Sequence, residues 1–555
     1  YRVYDDTGRL LVRYPVEPPA EPAVPRKATA APHPTDVAHT EELILWGRHL
    51  EQYRHATFSP EPYYREALRR DPGNSRAAGA LGLRALKRGD VDLAESLFRT
   101  AVERVLRRNP NPHDGEPLFN LGLVLWYRGR SDEAFHRFYK ATWNYATRSA
   151  ALYYMARIKG AAGEWETALS YLENATAENR RDIRTSHLCT VALRRLGRNG
   201  AARDALEAAS RDFPLNHLAR AERILQEGTA EWPAEFSTKP HLFLEVVLAY
   251  GHSGSVDDAL RLIDRRREER DAVRSPFVGY VEAYYHLQRG NMDKAAAAVD
   301  AAEAIRTPDT FPNQLEVILA VETIRIHFPE TGNAAYHLGN FYFAHGRFDR
   351  AHDVWTDAAR LDPDFPTVHR NLALSLFNKR NDPSAAMRSL EHAFSLDPGD
   401  AQVLLELDVL SRRMNRRPTT RLDLLETHRE TVLKRDDLTT VYVALLNLNG
   451  RSAEALELLT THRFHPWEGG EGKVTEEYKR ARIQLALEDL DAERYDAAIT
   501  TLEEAKRYPH TLGEGKLPTA EADNEIDFWL GCAYRAAGRS DDARAALAAA
   551  SAGDE

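Results

Sequence analysis

The sequence is short of cysteine and of excess positive charge. Its 555 residues include two cysteines, Cys189 and Cys532, which lie 343 positions apart and exclude a disulfide framework. Lys and Arg total 74 against 84 Asp and Glu, a formal net charge of −10. Because nucleic acids and anionic membranes are bound by basic surfaces, neither is expected as a partner.

Long apolar runs are also missing. The longest candidate, residues 242–250, is interrupted by Glu245 and falls short of the roughly 18 apolar residues of a membrane span. No signal-peptide pattern is present, and with so few cysteines a cytoplasmic location is predicted. No cofactor-binding motif stands out, so no cofactor is predicted. Because the chain starts at Tyr1 and not at Met, we expect the natural chain to extend further upstream.

What the sequence does contain is a repeat. Between Gly115 and Ala209, small residues recur every 34 positions: Gly129, Gly163 and Gly197; Ala134, Ala168 and Ala202; Ala141, Ala175 and Ala209. A fixed period of this length is typical of stacked helix-turn-helix units, with the glycine freeing the backbone at the turn. With Phe138 and its counterpart Leu172 in the second helix, the pattern resembles the tetratricopeptide repeat (TPR) family. The resemblance implies an all-α fold, an α-α superhelix (TPR-like solenoid) of about a dozen repeats.

Aligning these positions predicts the repeat starts and the domain limits. Repeats are expected to start near residues 75, 115, 149, 183, 240, 276, 332, 366, 401, 436, 479 and 524. Residues 1–16 read as a β-hairpin, which we expect to be the tail of an upstream β domain, and residues 17–37 as a Pro/Ala-rich linker. Extra residues before 240 predict two lobes, 38–230 and 231–555, and the excess before 332 predicts an additional helix near 313–326.

Three insertions are the main candidates for a binding site. The intervals of 40, 43 and 45 residues that begin at 75, 436 and 479 each add a loop containing Gly-Glu. Insertions at one type of junction map to one edge of a helical-repeat array, often the binding edge. Alternatively, the loops only lock longer turns. The predicted ligand-binding residues are Asp114, Glu116, His465, Trp467, Glu468, Glu471, Lys473, Glu514 and Lys516.

Residues 465–473 form the densest polar and aromatic cluster of the chain, and three kinds of chemistry are open to it. Trp467 could stack on a sugar while carboxylates bind hydroxyl groups. Glu468 and Glu471 could serve glycoside hydrolysis, which needs a carboxyl separation that sequence does not supply. His462 and His465 could bind a metal, but a full ligand set is missing, and no metal is predicted. Whether the chain is an enzyme stays open, and a non-catalytic role is favoured.

The second candidate surface is the groove. In TPR arrays the first helix of each repeat lines the concave face, which selects Phe119, Trp126, Tyr127, Tyr153, Arg157, Arg184 and Arg194. An aromatic patch that passes into a basic one suits an acidic, partly apolar protein segment. The Lys, Asn and Arg set of the chaperone-binding TPR subclass is absent. Trp143 is predicted to lie on a second helix as a packing residue.

A narrower resemblance rests on three motifs: NPHDGEPLFNLG at 111–122, FYKATWN at 138–144 and THRFHPWEGGEGKV at 461–474. These look like a bacterial family of large TPR proteins with an uncharacterised, sugar-binding-like β-sandwich region upstream. The resemblance implies a carbohydrate-related setting but assigns no reaction. The leading function is therefore an interaction scaffold that binds a protein or peptide segment, or its own upstream β domain. The alternative is the carbohydrate-binding half of a carbohydrate-active enzyme.

Overall fold

The computed structural model describes residues 1–14, 29–228, 231–307, 310–516 and 523–551. Within these ranges it contains thirty α-helices and one two-stranded sheet. Residues 15–16 of the predicted hairpin, residues 17–28 of the predicted linker, and residue 230 at the predicted lobe boundary lie outside the described residues.

The helices follow one another with short turns between most of them. The first fifteen are α1 Thr40–Gln52, α2 Glu61–Arg70, α3 Ser75–Lys87, α4 Val91–Leu106, α5 Glu116–Tyr127, α6 Ser131–Ala141, α7 Tyr145–Ala161, α8 Trp165–Glu178, α9 Ile183–Arg195, α10 Asn199–Asp212, α11 His217–Glu227, α12 Ala234–Thr238, α13 Pro240–Gly251, α14 Val256–Arg267 and α15 Pro276–Gln288. The others are α16 Met292–Glu303, α17 Leu315–His327, α18 Gly332–Ala344, α19 Phe348–Leu361, α20 Pro366–Asn378, α21 Pro383–Leu396, α22 Ala401–Arg413, α23 Pro418–Thr427, α24 Arg429–Val432, α25 Asp436–Leu448, α26 Ser452–Thr461, α27 Lys473–Asp491, α28 Tyr495–Ala505, α29 Asn524–Ala536 and α30 Ser540–Ser551.

The repeat register predicted from the sequence matches the helix starts. For most repeats the first helix begins within one residue of the predicted position; α7 and α27 begin earlier, at Tyr145 and Lys473. Local chemistry sets these starts: Asn74 accepts a hydrogen bond from the Ala77 amide at the start of α3, and Asp90 accepts one from the Leu93 amide at the start of α4. Most helices pack on the next one in the chain, as in α3 on α4 and α4 on α5. The predicted all-α, TPR-like fold class is confirmed.

Within a repeat, the small residue of the first helix faces a large residue sixteen positions later. A Cβ added to Gly82 would lie 2.5 Å from the Phe98 ring, and one added to Gly122 would lie 2.8 Å from the Phe138 ring. Where the first helix carries Ala156, the corresponding residue is the smaller Leu172, and both are fully buried. Close packing of the two helices therefore depends on matched volumes.

The hairpin predicted for residues 1–16 is present within its described part. Strands β1 (Arg2–Tyr4) and β2 (Leu10–Arg13) pair antiparallel, with Val3 opposite Val12. The Asp5 carboxylate holds the turn by accepting hydrogen bonds from the amides of Thr7 and Arg9. Every residue of both strands is exposed.

The chain divides into two compact bodies. The N-terminal body comprises residues 1–233 and 246–262, and the C-terminal body comprises 234–245 and 263–555, so α13 and α14 contribute residues to both. The extra residues before 240 include α11 and α12, and the additional helix predicted near 313–326 is α17. In the N-terminal body, Arg70 of α2 donates to the carbonyl of Val37, and Tyr63 donates to that of Pro32. The last residues of the predicted linker are therefore packed on the helices.

Candidate functional site

The second and third Gly-Glu loops meet in the C-terminal body. The Phe464 amide donates to the Thr511 carbonyl at 2.8 Å, and the Gly472 amide donates to Glu514 Oε2 at 3.0 Å. The predicted ligand residue Glu514 thus holds one loop against the other, although its Oε1 is buried without a hydrogen-bond partner. Lys516 pairs with Asp523 at 2.6 Å.

The two histidines of the second loop are fixed by a carboxylate. Asp436, at the start of α25, lies 2.8 Å from His462 Nε2, and its other oxygen accepts from the His465 amide at 2.8 Å. The His465 Nδ1 lies 3.1 Å from the same oxygen. No group of three His, Cys, Asp or Glu side chains suited to a metal ion occurs in the described ranges. The histidines therefore anchor the loop to α25.

Trp467 serves mainly as a packing residue. Its half-buried indole lies against the core of the C-terminal body. A Cβ added to Gly470 would lie 2.1 Å from its ring, so the glycine is needed for the ring to lie on the backbone. A sugar would have to stack on the part of the indole that this contact leaves uncovered.

Replacing Asp436 with Asn tests the anchoring of this loop and is expected to be pH-dependent. Burial raises the pKa of Asp436, but hydrogen bonds from His462 and His465 outweigh it, so the pKa lies below its usual 3.8. A lowered pKa adds stability above the unfolded-state pKa, which is lost as the pH falls through the folded-state pKa. At pH 7 we expect Asp436→Asn to reduce the free energy of unfolding by about 1 kcal/mol. The difference should shrink as the pH falls below 3.8, because Asp436 is then protonated in the unfolded chain and, at still lower pH, in the folded one.

Thermal unfolding at pH 7 and pH 3, followed by circular dichroism, measures this difference. The control is Asp541→Asn, because the Asp541 side chain is 93% exposed beside Arg544 and its loss should have little effect at either pH. An equal penalty for Asp436→Asn at the two pH values would contradict the prediction.

Two predicted loop residues line a cavity of about 750 Å³ in the C-terminal body, here called the C-terminal cavity. Glu471 and Lys473 contribute its rim, whereas the exposed Glu468 does not line it. The other lining residues lie mostly on the first helices of successive repeats: Leu448, Gly472, Glu476, Lys479, Arg480, Ile483, Gln484, Leu487, Glu525, Ile526 and Trp529. The wall thus combines an indole and aliphatic side chains with both signs of charge.

The first Gly-Glu loop contributes to a similar cavity in the N-terminal body. Asp114 and Glu116 line this N-terminal cavity of about 340 Å³. Asp114 also accepts from the Glu116 amide at the start of α5. The remaining lining residues are Ile44, Arg48, Glu51, Tyr64, Ser75, Arg76, Gly79, Ala80, Leu83, Pro117 and Asn120. In each body, a Gly-Glu loop therefore borders a cavity lined by first-helix side chains.

The predicted aromatic groove residues of the N-terminal body cluster around one arginine. The Arg157 guanidinium lies 4.3 Å from the Trp126 ring centroid and 5.5 Å from that of Tyr153. Tyr154 was not among the residues predicted from the sequence, yet its ring lies 5.2 Å from the same guanidinium and stacks on Phe138 at 5.0 Å. The helical period gives the reason: Tyr154 was not at a predicted groove position, although its ring reaches the same cluster.

The other predicted groove residues are placed at the edges of this cluster. The Phe119 ring lies 5.8 Å from that of Tyr154, and the Tyr127 ring lies 5.0 Å from that of Trp126. The Arg184 side chain is 65% exposed, and its guanidinium lies 5.6 Å from the Tyr153 ring.

Arg194 has a different environment. Its Nε donates to Glu222 Oε1 at 2.6 Å, and its Nη2 donates to Asp258 at 2.9 Å. Burial would lower the pKa of Arg194, but these two carboxylates raise it and keep the guanidinium charged. Tyr250 donates to Glu222 at 2.8 Å. Because its charge is neutralised inside the fold, Arg194 offers little to a ligand.

Trp143 departs from its prediction. It follows the end of α6 and is 57% exposed, so the expectation of a packing residue on a second helix is wrong. The Lys140 ammonium lies 4.2 Å from its ring centroid. The turn after the helix therefore presents the indole to solvent.

None of the described helices combines the length and apolar composition that crossing a bilayer requires.

Comparison with known proteins agrees with the repeat architecture. Residues 61–104, 80–142 and 336–401 match the family model of the tetratricopeptide repeat, so the chain contains TPR repeats. Similar solved structures include PilF of Pseudomonas aeruginosa, with 18% identity over 42% of this chain and 94% of that one and a TM-score of 0.31. Yeast Tom70 has 15% identity over 84% and 96%, with a TM-score of 0.22. A TPR protein of Parabacteroides merdae has 16% identity over 54% and 98%, with a TM-score of 0.26. Similarity this low transfers neither a partner nor an activity.

Proposed function

We propose that this chain is an interaction scaffold that binds extended protein segments along the first-helix faces of its repeats. The observation that carries the proposal is the pair of cavities bordered by Gly-Glu loops. Each is lined by side chains from successive repeats, and each mixes apolar walls with charged groups. Such lining suits a peptide, whose apolar side chains enter the cavity while its polar groups pair at the rim.

The carbohydrate alternative gains less support. Its main residue, Trp467, has part of its ring surface covered by Gly470, and Glu468 does not line the C-terminal cavity.

The exposed apolar residues of the hairpin, such as Leu11 and Val12, support the other predicted partner, a β domain of the same protein.

Filling the N-terminal cavity tests the proposal. Gly79 lies on the cavity wall within α3, and a Cβ added there meets nothing within 4 Å. In Gly79→Phe, the phenylalanine side chain should therefore fill the cavity without disturbing the helix. We expect the affinity for a peptide that binds there to fall at least ten-fold. Gly200→Phe is the matched control, because Gly200 is also helical and open but exposed on α10.

The measurement starts from peptides selected for the chain from a random display library and uses fluorescence anisotropy. For peptides that bind in the C-terminal cavity, Leu448→Glu should weaken binding, whereas Leu215→Glu should not; both leucines are exposed, at 57% and 80%. Selected peptides that are insensitive to both cavity variants, or a folded chain that selects none, would contradict the proposal.

A further inference from the structure

Arg157 is buried, and no carboxylate in the part of the chain that the structure describes forms an ion pair with it. The residue is only 7% exposed, and the Nε of its side chain has no hydrogen-bond partner. Its guanidinium lies within 4.3 to 5.5 Å of the ring centroids of Trp126, Tyr153 and Tyr154. A cation near an aromatic face is stabilised, but the ring does not replace the oxygen acceptors that N–H donors need.

Other buried arginines of the chain show what is missing. Arg421 donates two hydrogen bonds to the Asp408 carboxylate, at 2.8 and 2.7 Å. Arg266 donates to the backbone carbonyls of Phe236, Ser237 and Val273. A buried charge is normally paired in this way because its desolvation is costly. Arg157 therefore carries an uncompensated positive charge.

The titratable groups nearest to Arg157 do not offset its charge. His252 packs edge-on against Trp126, with ring centroids 5.1 Å apart. Burial first, and then the charge of Arg157, lower the pKa of His252 to about 3, so the imidazole is neutral at pH 7 and supplies no charge. The Arg184 guanidinium lies 5.6 Å from the Tyr153 ring, but its charge is paired with Asp182, whose Oδ1 lies 3.5 Å from the Arg184 Nε.

We infer that Arg157 binds one carboxylate side chain, of Asp or Glu, in the protein segment that the N-terminal body holds. The carboxylate accepts hydrogen bonds from the guanidinium, whose planar fork matches two carboxylate oxygens. An apolar residue next to it in the segment packs on Trp126, which is half-buried. This inference rests on the proposed function and specifies the partner: a segment in which an acidic residue adjoins an apolar one.

The experiment is a double-mutant cycle between the full chain and peptides from the selection described above. Synthetic peptides with amidated ends carry either the selected acidic residue or its isosteric amide, Glu→Gln or Asp→Asn. They are titrated against wild type, Arg157→Met and Arg203→Met; Arg203 is exposed on α10 and controls for the loss of one positive charge. Wild type and Arg203→Met should bind the amide peptide at least ten-fold more weakly than the acidic peptide. For Arg157→Met, the two peptides should bind within two-fold of each other.

Stability provides a second readout that does not need a peptide. Because methionine fills a similar volume without leaving donors unsatisfied, Arg157→Met should unfold at the same temperature as wild type or higher. Arg194→Met should unfold at a lower temperature, since it leaves Glu222 and Asp258 without this partner. A clear loss of stability in Arg157→Met would mean that Arg157 has a structural role, and would overturn the inference.

The binding outcomes separate the inference from the proposed function. An equal effect of the amide peptide on wild type and Arg157→Met would overturn the carboxylate site and leave the scaffold function intact. A folded chain that binds no peptide would overturn both. A phosphoserine peptide that binds more than ten-fold tighter than the Glu peptide would assign the site to phosphate. A peptide with a free C-terminus that no longer needs its acidic side chain would assign it to a terminal carboxylate; either result overturns the side-chain proposal.

Discussion

Replacing Gly254 with Ala is expected to lower the local free energy of unfolding of the N-terminal body by about 3 kcal/mol. Gly254 has φ +83°, and an added Cβ would lie 2.4 Å from the Ala161 Cα and 2.7 Å from the Gly160 carbonyl oxygen. The left-handed backbone costs an alanine about 1–2 kcal/mol. Overpacking costs about 1–3 kcal/mol, and here the opposing atoms are backbone and cannot rotate away.

The matched control is Gly129→Ala. Gly129 has a similar φ of +73°, but a Cβ added there meets nothing within 4 Å, so only the backbone cost of about 1–2 kcal/mol remains. Amide hydrogen exchange of the full chain, read for α7 and for α13–α14, gives the local free energies, since a repeat array need not unfold in one step. Equal losses in the two variants would show that the turn moves away from α7 at little cost.

The second large effect is expected for Glu222→Gln. Glu222 is fully buried and accepts hydrogen bonds from Arg194, from Tyr250 and from Gln226. The glutamine keeps the shape but removes the charge that compensates Arg194. Removing one partner of a buried pair costs about 3–5 kcal/mol, and because Asp258 also accepts from Arg194, we expect about 3 kcal/mol.

Hydrogen exchange in α9 and α11 measures this loss. Glu166→Gln is the control, since Glu166 pairs with Arg198 but is 69% exposed, and such a pair contributes at most about 1 kcal/mol. The double variant Arg194→Met/Glu222→Gln should recover part of the loss, because it also removes the unpaired cation. If Glu222→Gln were no more harmful than Glu166→Gln, the buried carboxylate would not be what holds α9 to α11.

The repeat fold was predictable because it is determined by local pattern. The 34-residue period of Gly129, Gly163 and Gly197 locates the turns, and all three have positive φ. The period also predicted the register of first helices, and hence that residues such as Trp126, Tyr153 and Arg157 lie near one another. Neighbouring repeats have nearly the same geometry, so contacts between them follow from sequence spacing.

The candidate sites were less predictable because their decisive contacts are not local. Asp258, which neutralises Arg194, lies 64 residues further along the chain, beyond the irregular segment that contains α11 and α12. Glu514 lies 42 residues beyond the Gly472 amide that it accepts from, and only the packing of two insertions brings them together. The sequence predicted Arg157 as a groove residue, but not that it would be buried without an ion pair to any carboxylate of the described residues. Trp143 was misplaced because α6 ends two residues before it.

The volume matching between the helices of a repeat has an evolutionary consequence. In a genetic exchange between two repeats, a crossover inside the sixteen-residue interval from Gly82 to Phe98 can join Ala156 of one repeat to the phenylalanine of another. Because a Cβ at Gly82 would already lie 2.5 Å from the Phe98 ring, this product contains a collision. A crossover outside the interval exchanges the pair intact. Duplication and shuffling of repeats should therefore leave surviving breakpoints in the turns that precede the first helix, and few between the paired positions.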